Sequence, residues 1–103
     1  MKTSGLLTAS GDFKQKKDVI VIHPNDGFDL GLMTTKYQVQ IVMGETPETF
    51  LKGGGKAVPG TLLLVNECPN GTIRLNLAQW QDLGKPRQLR LCCEADKVLI
   101  AKT

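Results

Sequence analysis

Chemistry in this chain would have to come from one histidine, His23, and three cysteines, Cys68, Cys92 and Cys93. His23 stands beside Pro24 with Asp26 three residues on, the residue types of a general base and its orienting carboxylate. No serine or cysteine sits next to it in sequence to act as nucleophile, and the carboxylates are scattered rather than paired. The residues therefore predict a non-enzymatic protein without a cofactor. The three thiols and His23 are numerically enough for a tetrahedral zinc site, but no Cys-x-x-Cys spacing holds two thiolates in one turn. Adjacent Cys92 and Cys93 on a strand would face opposite ways, so buried, metal-free thiols are the expectation. The outward member, assigned to Cys92, is the candidate for any thiol reactivity.

The segment Lys52-Gly53-Gly54-Gly55-Lys56 has the look of a phosphate-cradling loop but departs from that pattern. Phe50 stands where the first glycine belongs, and Ala57 stands where a hydroxyl is needed for the metal. As a flexible basic loop it suits a nucleic-acid backbone better. Two further basic groups lie in the chain: Lys14, Lys16 and Lys17, and Lys85, Arg87 and Arg90, the latter without an intervening acid. Arg74 falls on an outward strand position. If its strand lies beside that of Arg90, both side chains share a polar wall that Lys36, Gln38 and Gln40 extend, and such a wall would bind phosphates and base edges. Phe13 beside Lys14 and Phe50 beside Lys52 are the rings placed to stack on bases, whereas Tyr37 and Trp80 fit core positions.

The elements that must hold these groups are short. Eleven glycines and 5 prolines among 103 residues separate brief runs rich in Val, Ile, Leu and Thr, the spacing of strands. Strands are predicted over residues 3–9, 18–22, 36–42, 61–67, 72–77, 88–93 and 97–101. Val19-Ile20-Val21-Ile22 is apolar on both faces, and His23-Pro24-Asn25-Asp26-Gly27 punctuates its end. Tyr37, Val39 and Ile41 alternate with polar residues, giving one dry and one wet face. Thr46 as N-cap with Pro47 behind it predicts one helical turn, and Asn76-Leu77-Ala78-Gln79 has the form of a capping box for a helix ended by Gly84, with Trp80 packed onto the sheet. Cys68-Pro69-Asn70-Gly71 between two apolar runs predicts a hairpin of strands 61–67 and 72–77. A second hairpin joins 88–93 to 97–101.

A composition of 41% hydrophobic and 22% charged residues with a formal charge of +3 fits one folded domain, 1–103, with a mobile Gly-rich loop at 52–60. No apolar run approaches the roughly 20 residues of a membrane helix, and the apolar stretch near Met1 is too short for a secretory signal. An odd number of cysteines favours a reducing, cytoplasmic setting. The expected fold is all-β or mostly β, a small barrel or a two-sheet sandwich of about six strands with one or two short helices, because an open sheet this size would leave unpaired edges. The expected function is binding of nucleic acid, with single strands preferred, through Arg74, Arg87, Arg90, Lys85, Lys52, Lys56, Lys14, Lys16 and Lys17. The alternative is a protein-interaction or self-assembly domain using edge strands or the apolar run from Val58 to Leu64, with a protein partner or a second copy as ligand.

Overall fold

In the computed structural model, which describes residues 1–102 (Thr103, the last residue of the expected domain, lies outside the described residues), the chain closes into a barrel. Its strands are β1 (Lys2–Thr3), β2 (Leu7–Asp12), β3 (Val19–Ile22), β4 (Lys36–Met43), β5 (Ala57–Leu64), β6 (Thr72–Asn76), β7 (Gln88–Glu94) and β8 (Lys97–Lys102). The sheet order is β1-β7-β2-β6-β3-β5-β4-β8, and β7 also pairs with β8. β1 and β2 lie along one side of β7, interrupted at residues 4–6, so the barrel has seven staves. Closure removes the sheet edges that an open arrangement would expose. Inside, Ile20, Ile22, Ile41, Leu62, Ile73, Leu75, Leu89, Leu91 and Ile100 form the core. No described helix is long and apolar enough to cross a membrane.

Three staves pair in parallel, β2 with β6, β3 with β5 and β4 with β8. The predicted hairpin across Asn70-Gly71 is overturned. Its two arms, β5 and β6, do not pair, because β3 runs between them, parallel to one and antiparallel to the other. Ile20 and Ile22 join the core while Val21 is also buried, so β3 is covered on both faces, as suits a strand in the interior of the sheet rather than at an edge. Residues 65–71 form a wider bend, held where the Asp26 carboxylate accepts the Gly71 N–H at 2.8 Å. The β7–β8 hairpin forms as expected through residues 94–97.

Three short helices decorate the barrel, a third helical turn beyond the one or two expected. It is α1 (Pro24–Phe28), where the sequence reads as a turn: Pro24 opens it and the His23 Nδ1 caps it by accepting the Asn25 N–H at 3.0 Å. α2 (Pro47–Leu51) is capped by Thr46 as expected. It covers part of the outer wall, where Phe50 is buried with Val42, Cys92, Leu99 and Ala101 in a second apolar cluster. α3 (Leu77–Asp82) is capped by Asn76, and Trp80 packs against the core. Of the expected mobile segment 52–60, residues 57–60 belong to β5.

Gly60 marks a close approach between staves. A Cβ there would sit 2.2 Å from Ile41 Cδ1 and 2.6 Å from the Asp18 carbonyl oxygen, and that carbonyl accepts the Thr61 N–H at 2.9 Å. Backbone cannot swing away as a side-chain tip can. Gly60→Ala is therefore expected to destabilise the fold by about 2 kcal/mol, beyond any gain from lost glycine freedom, as measured by the midpoint of urea unfolding.

Candidate nucleic-acid interface

Strand direction sorts the charged loops into two ends. The C-terminal ends of β2, β4 and β6 and the N-terminal ends of β3, β5 and β7 lie together. That end therefore carries residues 13–18, α3 with residues 83–87, and α2 with residues 52–56. Seven of the nine residues singled out from sequence stand there: Lys14, Lys16, Lys17, Lys52, Lys56, Lys85 and Arg87, every one exposed. The acids on the same end are Asp12, Asp18, Glu45, Glu48 and Asp82. Two of these are engaged locally: Asp12 Oδ1 accepts the Lys14 N–H at 2.8 Å, and Asp18 Oδ1 accepts Gln79 Nε2 at 2.8 Å. The opposite end carries Lys2, Lys36, Lys97 and the Met1 ammonium against Asp26, Asp29, Glu67, Glu94 and Asp96, and the Met1 ammonium pairs with Glu94 at 3.1 Å.

Arg74 and Arg90 do not belong to this end. They lie on the barrel wall, on β6 and β7, with β2 between those staves. The expected common wall of Arg74, Arg90, Lys36, Gln38 and Gln40 is thus not formed, because closure places β6, β7 and β4 at separate points of the circumference. Arg74 is half-buried, and its guanidinium donates to the Glu67 carbonyl at 3.4 Å.

The basic loops are held by side chains from the adjoining elements. Gln15 Nε2 donates to the carbonyls of Val19 (2.6 Å) and Arg74 (3.0 Å), while Asn76 Nδ2 donates to the Gln15 carbonyl at 2.7 Å. Gln79 is only 4% exposed. Its Oε1 accepts the Asp18 N–H at 2.9 Å while its Nε2 donates to the Asp18 carboxylate. This bracket fixes Asp18 at φ 62°, an unusual backbone state for a non-glycine residue. The capping-box reading of Gln79 is corrected accordingly: its amide serves the start of β3, not the Asn76 N–H. On the other side, Trp80 Nε1 donates to the Pro86 carbonyl at 2.9 Å, and the Lys85 N–H donates to the Trp80 carbonyl at 3.1 Å. The Lys85–Arg87 loop is thereby tied to α3.

One aromatic side chain belongs to this surface. Phe13 is 75% exposed, with the Lys14 ammonium 5.7 Å from its ring centroid. Phe50, the other expected platform, is buried under α2. Tyr37 packs against the core and its hydroxyl accepts the N–H groups of Met33 (2.7 Å) and Thr34 (3.0 Å); hydrogen bonding from Thr34 above all holds that hydroxyl below its ordinary pKa. Phe28 is exposed as well, at the acidic end.

The thiols are dispersed. Among the described residues, no three His, Cys, Asp or Glu side chains gather to hold a metal ion. Cys92 does face outward, but α2 covers it, so it is Cys93 that retains partial exposure. Burial, with the neighbouring Cys92 adding to it, pushes the Cys93 thiol up to about 11 from 9.0; burial also raises Cys68, with Arg74 opposing. Two consequences follow for Cys93. Its alkylation should be slow at neutral pH and accelerate until about pH 11, as followed by mass spectrometry of the native protein. The fold should hold its full Cys93 contribution below pH 9 and lose it as pH rises toward 11, since the unfolded chain releases that proton first.

Comparison with family models, with curated proteins and with solved structures returns no match. The functional reading accordingly rests on the residues and their placement.

Proposed function

We propose that the protein binds nucleic acid, single strands in preference, at the basic end of the barrel and without catalysing a reaction. The observation that carries this reading is the placement of seven exposed Lys and Arg side chains, from three loops, on the same end of the barrel as an exposed Phe13. Cationic loops follow a phosphate backbone with little regard to sequence, and a free ring among them offers a face on which a base can stack. Arg74 and Arg90 are left out of the contact surface, being on the wall. The far end carries as many acids but fewer bases, so a polyanion is also oriented as it approaches.

The test is titration of labelled single-stranded and duplex oligonucleotides across a salt series. If roughly four to six phosphates are neutralised, affinity for single strands should fall about 50- to 300-fold between roughly 50 and 200 mM salt. Duplex should bind more weakly. Absent binding, or binding indifferent to salt, overturns the reading.

A further inference from the structure

The connection from β4 to β5, residues 44–56, carries α2 out over the barrel wall and back. Phe50 is the one buried residue in it, at 4% exposed, while Leu51 beside it is 52% exposed. Its hydrogen bonds close on themselves. The Phe50 N–H donates to the Thr46 carbonyl at 3.0 Å, the Lys52 N–H to the Glu48 carbonyl at 3.2 Å and the Gly54 N–H to the Thr49 carbonyl at 2.8 Å, and among the described residues no hydrogen bond or ion pair ties this segment to a stave. Gly44 (φ 81°) and Gly55 (φ 90°) turn the chain at its two ends. The seat of Phe50 is a row that crosses three staves: Val42 of β4 pairs with Leu99 of β8, and Leu99 pairs with Cys92 of β7. These three alternate with Ile41, Ile100 and Leu91 of the core, so they face outward, and they are buried with Phe50 and Ala101 in the second cluster.

We propose that residues 44–56 are a lid, pinned by Phe50, that lifts as a unit from a barrel that stays closed and bares the row beneath it. The burial of one ring is a small part of what holds the barrel together, so the lid opens far more often than the protein unfolds. Lys52 and Lys56 ride on the lid. Only the closed form holds them on the same end as Lys14, Lys16, Lys17, Lys85 and Arg87. A polyanion that engages both groups therefore binds the closed form better and draws the lid shut. That coupling rests on the nucleic-acid reading; the lid itself does not.

Cys92 reports the opening, because the lid covers it. In protein carrying Cys93→Ala, which leaves Cys92 and the distant Cys68 as its thiols, labelling of Cys92 by N-ethylmaleimide is followed by peptide mass spectrometry. Its rate should be nearly flat in urea below the unfolding transition, since lifting a lid exposes little surface. Adding Phe50→Ala should speed it by about 10- to 150-fold, the factor that corresponds to burying one such side chain, with the circular dichroism of the barrel retained. A single-stranded oligonucleotide at low salt should slow it severalfold. A rate that climbs with urea as steeply as global unfolding overturns the lid, and this measurement does not depend on the Phe50 variant folding. So does a rate indifferent to Phe50→Ala, the result expected if the reagent enters through fraying of β1, whose Thr3 hydroxyl meets the Cys92 sulfur at 3.8 Å. An oligonucleotide that binds without slowing the reaction overturns the coupling. One that does not bind overturns the nucleic-acid reading and the coupling with it, and the lid is then decided by the first two measurements.

Discussion

Replacing Lys14, Lys16 and Lys17 together by glutamine should lower single-strand affinity by about a hundredfold at low salt and flatten the dependence of log K on log salt by about 2. Each lost phosphate contact on a single strand removes about 0.7 from that slope, and three neighbouring lysines on one loop supply up to three contacts. The difference from wild type should shrink as salt rises, because the lost term is counterion release. Phe13→Ala separates stacking from charge: it should cost about 1–3 kcal/mol of affinity with the slope unchanged. Changing Lys36 and Lys97 to glutamine removes the same kind of charge from the acidic end, and should leave the slope where it was. A slope unaffected by the triple change would remove residues 13–18 from the interface.

Gln79→Ala should destabilise the protein by about 2–3 kcal/mol, or roughly 10–15 °C in Tm for a domain of this size. The side chain is buried and satisfies two groups at once, the Asp18 N–H and the Asp18 carboxylate. Its removal leaves a donor and a charged acceptor beneath α3 without partners, while the Asp18 backbone loses what fixes it at positive φ. Thermal unfolding followed by circular dichroism reads the loss directly. A second readout is functional. Asp18 ends the loop bearing the lysines, so the variant, assayed well below its Tm, should bind oligonucleotide more weakly with an unaltered salt slope. A drop below about 0.5 kcal/mol would mean that water replaces the amide without penalty.

The strand content and the local caps were legible because they depend on neighbours in sequence. Alternation over residues 36–42 gives β4, Thr46 and Pro47 start α2, and Asn76 starts α3. What failed was long-range pairing. Asn70-Gly71 carries a strong hairpin signal, yet the apolar β3, written some fifty residues earlier, takes the slot between the two arms. No local signal encodes that insertion, though the two-faced apolarity of Val19-Ile20-Val21-Ile22 is what a strand in the interior of a sheet shows. The same error led to the expected wall of Arg74 and Arg90. The convergence of Lys14, Lys16 and Lys17 with Lys85 and Arg87 follows instead from strand direction, which becomes readable only once β2 and β6 are known to be parallel. Gln79 was hidden for a related reason: its partner, Asp18, is distant in sequence and local rules supplied a nearer one.

The parallel pairings have a kinetic corollary. Leu7–Asp12 finds its partner in Thr72–Asn76, and Lys36–Met43 finds one in Lys97–Lys102, so the ring cannot close until nearly the whole polypeptide has been made. The Gln88–Glu94 and Lys97–Lys102 pair can zip early, but the remaining staves must wait for contacts between remote segments. Such topologies fold on a scale of roughly milliseconds to seconds, and during that interval the Val-Ile-Val-Ile stretch is bare to other nascent chains.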